Sequence, residues 1–316
     1  MGHVAATAAV HGSASLPFGI PVETVGAWSS VDRTEIESLR SVRNILDEYV
    51  QQELRGARGG VPLPIAVFGP PGAGKTFAVR QLATVLLPGR ISRLEYDLSQ
   101  MRSVDAQHAA FHEVRDVALR GDLALVFWDE FDTPLDGEPL GWLRHFLSPM
   151  AEGRFHDGAG FHPLGPAIFV FAGGTAVSFD DFIGFGDELR ERAAKKPDFV
   201  SRLRGYIDVT GPNRQGPHDV ASSLRRALIL RSLITTRAPQ MLVDDGAHEP
   251  RLQIDEGVLR AFLEIGEYIH GARSMEAIVQ MSSLAGKPRF ERSSLPARQQ
   301  LAVHVDSDQF LALVQG

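Results

Sequence analysis

Apolar positions change their spacing along the chain, and each change marks a different kind of element. From Val31 to about Leu54, Ile36, Leu39, Val42, Ile45 and Leu46 recur every three or four residues with charges between them, which predicts an amphipathic helix. Gly56, Gly59, Gly60 and Pro62 then break the chain. Beyond them, short wholly apolar runs alternate with helical patterns. Strands are expected at Ile65–Phe68, Ile91–Leu98, Leu123–Trp128, Ala167–Ala172 and Tyr206–Val209. Helices are expected from Phe77 to a stop at Pro88-Gly89, over Val104–Arg120 and over Gly141–Met150, and Ala151–Gly165 reads as a loop or hairpin. Runs that are apolar throughout suit strands covered on both faces. Their alternation with helices predicts an α/β fold: a parallel sheet with right-handed crossovers and functional groups at the carboxyl ends of its strands.

After Gly211-Pro212 the strand signals nearly vanish. Val220–Leu233, Ile254–Ile269 and Ser274–Leu284 read as helices, and Leu301–Val305 as one short strand. The expected division is a flexible N-terminal arm (1–30), an α/β domain (31–212), and a small, mostly helical domain with a short C-terminal extension (213–316). Residues 1–26 are rich in Ala, Gly and Ser and lack a basic region followed by a continuous apolar core, so they do not read as a signal peptide. No apolar stretch is long enough to span a bilayer. The net charge of -7 argues against nucleic acid as the main partner. The absence of cysteine excludes disulfides, thiol catalysis and Cys-based zinc sites, and fits a cytoplasmic location.

The strand ending at Phe68 runs into Gly69-Pro70-Pro71-Gly72-Ala73-Gly74-Lys75-Thr76, with Phe77 on the helix that follows. Glycines let a backbone curl so that successive N–H groups face a phosphate chain, and a helix opening at Lys75 adds its positive end. In such a loop Lys75 reaches the β- and γ-phosphates and the Thr76 hydroxyl holds Mg²⁺, so the expected ligands are ATP and Mg²⁺. The apolar run Leu125–Trp128 ends in Asp129-Glu130. Asp129 would support the Mg²⁺ and Glu130 would polarise a water for attack on the γ-phosphate. Asp132 extends the acidic run in a turn or capping role. A fourth strand ends in Gly173-Gly174-Thr175, and Thr175 is the polar side chain placed to hold the water or sense the γ-phosphate, unless the segment is only a turn.

The order of Gly69–Thr76, Leu125–Glu130 and Thr175, followed by an Arg-bearing segment and a helical domain, resembles the AAA+ ATPases. Asp198-Phe199-Val200-Ser201-Arg202-Leu203 resembles the segment that carries their arginine finger, which implies Arg202, or Arg204, as a residue reaching into a neighbouring subunit's site. Gly271-Ala272-Arg273-Ser274 resembles the start of a lid helix whose Arg reads the nucleotide, in the style of the Clp and Lon unfoldases, which implies that role for Arg273. A cation at a helix start is disfavoured by the dipole unless an anion pairs with it. The resemblance spans Ile65 to about Leu284. It implies P-loop α/β architecture with a helical lid, ATP hydrolysis at subunit interfaces, and self-association into a ring or helical oligomer such as a hexamer that remodels or moves a protein partner.

The pattern departs from protein-threading members at Leu98-Ser99-Gln100-Met101-Arg102-Ser103, where a pore loop usually carries an aromatic and this chain offers only Met101. That departure keeps a second function open, an ATP-dependent assembly switch or scaffold with slow hydrolysis. A small-molecule kinase fits less well with Asp129-Glu130 and a separate lid. Phe155 and Phe161 read as anchors of their loop or as partner contacts. His156 and His162 have no local carboxylate or Cys arrangement that demands a metal. Phe179–Asp187 alternates aromatic and acidic residues without the oxygen spacing of a calcium loop, and reads as a helix edge and turn.

Overall fold

The computed structural model describes residues 2–54, 60–86, 91–184, 188–246 and 248–316. The expected breaks at Gly56 and Gly59, the helix stop at Pro88-Gly89 and the turn at 185–187 lie outside the described residues. In chain order the elements begin with α1 (Gly2–His11), β1 (Glu23–Val25), β2 (Trp28–Ser30), α2 (Arg33–Leu54), β3 (Leu63–Phe68), α3 (Lys75–Leu86), β4 (Ile91–Asp97), α4 (Val104–Leu119) and β5 (Leu123–Asp129). There follow α5 (Leu143–Glu152), β6 (Arg154–His156), β7 (Phe161–Pro163), β8 (Ala167–Ala172), α6 (Phe179–Gly184), α7 (Glu188–Ala193), α8 (Lys196–Val200) and β9 (Gly205–Asp208). The remainder is α9 (Ser222–Arg237), β10 (Leu242–Val243), β11 (Arg251–Leu252), α10 (Glu256–Glu264), α11 (Ala272–Met281), α12 (Arg298–Leu301) and α13 (Ser307–Gln315). The chain divides into two compact units. One comprises residues 37–70 and 75–209, the other residues 1–36, 71–74 and 210–316.

The first unit is a five-stranded sheet in the order β4-β5-β8-β3-β9, parallel throughout. Every residue of β3 and β8 is buried, as expected of central strands covered on both faces. The edge strand β4 is only part-buried and carries Arg93, Glu95 and Asp97, a polar edge that resists pairing with another chain. One face packs an aromatic core. Trp128 meets Phe146 at 4.9 Å and Phe111 at 5.4 Å between ring centroids, both edge-to-face, and Phe146 meets Phe171 at 4.9 Å. Buried Tyr49 of α2 donates its hydroxyl to Val61 O (3.1 Å) and accepts from Ala167 N–H (3.0 Å), fixing where β3 and β8 begin. The expected loop or hairpin at 151–165 is a hairpin, with β6 and β7 paired antiparallel.

The second unit is mostly helical, with α9 at its centre against α1, α10 and α11. Three expectations are corrected here. Residues 2–11 were expected in a flexible arm, but α1 buries Ala5, Ala8 and Ala9 completely against α9. A stripe of alanines gives little amphipathic contrast, yet it lets two helices approach closely. Arg231 of α9 then caps α1 by donating to Ala9 O (3.2 Å) and Val10 O (3.0 Å). The expected strand 301–305 is instead the end of α12 and the turn after it. Leu301 and Val305 are the buried positions, four residues apart as a helical turn requires. The expected helix 254–269 is also shorter. Asp255 caps its start through Gly257 and Val258 N–H, and Arg226, almost fully buried, ends it by donating to the carbonyls of Leu263, Ile265 and Gly266.

Candidate active site

The phosphate-loop segment follows the carboxyl end of β3. Its backbone enters the left-handed region at Gly69 (φ 148°), Gly72 (φ 74°) and Gly74 (φ 96°), and α3 opens at Lys75. The Lys75 ammonium donates to Gly69 O at 2.8 Å, which holds the side chain along the loop. Thr76 is half-buried on the first turn of α3, and Phe77 is exposed beside it. Pro71–Gly74 belong to the helical unit, and there Ala272 N–H donates to Gly72 O at 2.8 Å. A side chain at Gly72 would stand 2.0 Å from His270 O, and one at Gly271 (φ 57°) would stand 3.0 Å from Gly72 O. Two glycines therefore meet backbone to backbone. This is a packing reason for the Gly of Gly-Ala-Arg that the sequence did not disclose.

Asp129 ends β5 with Asp97 of β4 and Ala172 of β8 as its cross-strand neighbours. Burial, then repulsion from Glu95 and Asp97, pushes the Asp129 carboxyl above its ordinary range, against the pull of Arg80 and Lys75. Glu130 stands in the left-handed region (φ 56°), an unusual place for a side chain this long, held by its N–H to Ala172 O (2.9 Å) and by Thr133, whose hydroxyl donates to Glu130 O at 2.7 Å. Burial and then Asp132 raise the Glu130 carboxyl, opposed by Lys75. Lys75, Asp129 and Glu130 thus feel one another's charge at the carboxyl edge of the sheet.

Two contributors escaped the sequence reading. Asp132, expected in a turn or helix-capping role, has an almost fully buried carboxylate that caps the strand tip at 173–176. Oδ1 accepts from Gly174 N–H (2.9 Å) and Oδ2 from Thr175 N–H (2.9 Å) and Ala176 N–H (3.4 Å). Gly174 is the second. A Cβ there would lie 1.7 Å from Glu130 Oε2, so the missing side chain is the space the Glu130 carboxylate fills. Neither signal was readable in one sequence, because both depend on the β5–β8 register. Thr175 is exposed at this tip, next to the residue that Glu130 touches, and β8 lies between β5 and β3 as the sheet order requires.

The arginines lie elsewhere. Arg202 donates to Asp198 O at 2.5 Å and stands 4.0 Å from the Asp198 carboxylate, with its Nε buried and without a hydrogen-bond partner. Arg204 is exposed, and its N–H bonds to Pro64 O (2.9 Å) at the amino end of β3. A six-residue strand is about 20 Å long, so both sit at the edge of the sheet opposite Gly69. Arg273 is exposed in the first turn of α11, one residue after Ala272, and has no hydrogen-bond or ion-pair partner among the described residues. The Leu98–Ser103 loop buries Leu98 fully and packs Met101 partly against the core of the sheet unit. Phe155 is a buried anchor of its hairpin, whereas Phe161 is exposed beneath the Arg154 guanidinium, 4.8 Å from its ring centroid.

Residues 65–139 match the family model described as ATPase family associated with various cellular activities (AAA). No curated protein sequence matches the chain. Among solved structures, the chain is similar to NtrX from Brucella abortus, solved in complex with ADP, with TM-score 0.50 and 14% identity over 87% of this chain and 55% of that one. It is similar also to the ORC2 protein of Aeropyrum pernix, solved as ADPNP and ADP complexes, with TM-score 0.50 and 13% identity over 86% of this chain and 68% of that one. The chain spans little more than half the length of the NtrX chain it matches. At such identities the likeness is one of fold: a P-loop α/β sheet with flanking helices and a helical C-terminal region, the AAA+ architecture.

Proposed function

We propose that this chain binds ATP and hydrolyses it, and that hydrolysis is completed between copies of the chain. The observation that carries the reading is Glu130: a carboxylate held beside Asp129 in a strained backbone conformation, within the charge field of Lys75 and over a glycine that leaves it room. The backbone N–H groups of 69–76 would wrap the phosphates, and Lys75 would exchange Gly69 O for phosphate oxygen. Glu130 would take the proton of the attacking water, and its raised pKa brings it closer to the pH at which a base works well. Thr76 and Asp129, with Asp97 alongside, offer hard oxygen donors that fit Mg²⁺. Bound there, Mg²⁺ would neutralise charge on the phosphates. Thr175 would orient the water from the strand tip.

Arg202 and Arg204 stand a strand's length from this chain's own loop, so a finger role requires a neighbour's site and a ring or helical assembly, of which a hexamer is the simplest form. Arg273, exposed at a helix start and without a partner among the described residues, is suited to an anion such as the γ-phosphate. The resemblance of Gly271-Ala272-Arg273-Ser274 to the lid segment of the Clp and Lon ATPases suggests work on a protein partner, and the lack of cysteine fits the cytoplasm. A second reading has its own support. With Leu98 buried and Met101 packed on the core, the 98–103 loop offers no aromatic grip, which favours a slow-hydrolysing assembly switch over a threading motor. No described helix is long and apolar enough to cross a membrane. Mass measured with and without ATP, using Glu130→Gln to retain nucleotide, tests assembly: an ATP-dependent oligomer is expected, and a monomer in both states would remove the intersubunit part. Processive unfolding of a tagged substrate would decide against the switch.

A further inference from the structure

We propose that His112, Asp157 and His162 form a zinc-binding site that fastens the β6–β7 hairpin to α4. The three residues come from separate places in the chain. His112 is on α4, Asp157 is at the hairpin tip, and His162 is on β7. Their ligand atoms all lie within 4.8 Å of one another. His112 Nε2 is 3.0 Å from Asp157 Oδ2, and His162 Nε2 is 3.0 Å from the same oxygen. The sequence showed no metal arrangement because His162 needs a histidine fifty residues upstream, which only the packing of α4 supplies.

Three features suit the cluster to a metal ion. The first is an orphan. His112 Nε2 is hydrogen-bonded to Asp157 Oδ2, but His162 Nε2 approaches it off the hydrogen-bond direction and is buried without a partner. A shared cation would satisfy both nitrogens and the oxygen together. The second is preorganisation. Asp157 Oδ1 accepts from Ala159 N–H (3.0 Å) and Gly160 N–H (3.3 Å), which turns Oδ2 toward the histidines. Phe155 packs on both imidazoles, with ring centroids 4.8 Å from His112 and 5.4 Å from His162, and restricts their rotation. The third is spacing. Bonds of about 2.0–2.1 Å to a tetrahedral ion put ligand atoms about 3.3–3.4 Å apart, and two of the three pairs stand at 3.0 Å.

Two imidazoles and one carboxylate suit Zn²⁺ far better than Mg²⁺ or Ca²⁺, which take oxygen. The three side chains are part-exposed, at 30%, 18% and 28%. The His112 Nδ1 has no partner, and a missing outer-shell bond of that kind weakens metal sites by about 10–100-fold. The site is therefore a moderate binder that clips the hairpin, using residues separate from Lys75, Asp129 and Glu130.

The test is Zn²⁺ titration of the chelator-stripped full chain by calorimetry, with excess Mg²⁺ to compete for the acidic cluster. One equivalent is expected, with a Zn²⁺-dependent rise in Tm. His112→Ala, His162→Gln and Asp157→Asn should each weaken binding at least tenfold, while His156→Ala on the same hairpin should leave it unchanged. Circular dichroism checks that each variant is folded. Co²⁺ is the spectroscopic probe: visible bands of a tetrahedral ion in the parent chain, lost in His162→Gln. Zn²⁺ stoichiometry and affinity retained in His112→Ala and His162→Gln, or lost in Asp129→Asn instead, would overturn the proposal. So would the absence of any Zn²⁺ effect on Tm.

Discussion

Consider a single methyl group added at Gly174. The residue is not in the left-handed region, so alanine is tolerated by its backbone. The new Cβ would lie 1.7 Å from Glu130 Oε2, 2.4 Å from its Cδ and 2.6 Å from Oε1, whereas real contacts of this kind stay above 3.0 Å. The far end of a flexible side chain can move away, so stability should hardly change. The carboxylate, however, must shift by at least about 1.3 Å, and a misplacement of about 1 Å at a reacting centre costs about 100-fold, or about 2.7 kcal/mol in the barrier. Gly174→Ala should therefore lower the kcat of ATP hydrolysis by about two orders of magnitude, with Tm within about 1 °C and the affinity for a fluorescent nucleotide unchanged. The assays are steady-state phosphate release, equilibrium nucleotide binding and a thermal melt. Full activity in Gly174→Ala would show that the position of the Glu130 carboxylate does not matter, and the assignment of Glu130 as base would fall with it.

Other substitutions separate folding from chemistry. Gly72→Ala meets backbone, His270 O at 2.0 Å, from a left-handed φ, so it should destabilise the helical unit by about 2–4 kcal/mol in a denaturant melt as well as weaken nucleotide binding. Arg231→Met leaves the carbonyls of Ala9, Val10 and Pro250 without their donor and Glu249 without its ion pair; a loss of about 2–4 kcal/mol, with earlier proteolysis near residue 11, is expected. Glu35 gives a pH signature. Burial, reinforced by the charge of Asp32 and only partly offset by hydrogen bonds from Ser30 and Thr210 and by the charge of Arg225, raises its pKa to about 7. The folded state therefore holds the proton more tightly. Its contribution is full below about pH 4.5 and is lost as pH rises through about 7, a change of about 3 kcal/mol. Glu35→Gln should flatten that part of the stability–pH curve, and an unchanged slope would refute the assignment.

The sheet was legible because its signals are local. Wholly apolar runs marked β3, β5 and β8 almost to the residue, and Gly69–Thr76 with Asp129-Glu130 named the ends of two strands from their own chemistry. What stayed hidden depends on partners far away in the chain. The burial of α1 rests on alanines whose apolar face is weak and on Arg231 more than two hundred residues later. The capping by Asp132 and the gap at Gly174 exist only once β5 and β8 are in register. Leu301 and Val305 read as a strand in the sequence because a short apolar run carries no period of its own. Arg202 and Arg204 have no signal of their own beyond the resemblance, and they lie at the far edge of the sheet.

The most direct measurement is ATP hydrolysis by the full chain beside Glu130→Gln and Lys75→Ala, with nucleotide affinity measured for each. The parent chain should hydrolyse ATP, at a rate per subunit that rises with protein concentration. Glu130→Gln should bind ATP as tightly as the parent chain and hydrolyse it at least about 100-fold more slowly, while Lys75→Ala should lose binding. Hydrolysis by Glu130→Gln at the parent rate, or parent affinity in Lys75→Ala, would contradict the account.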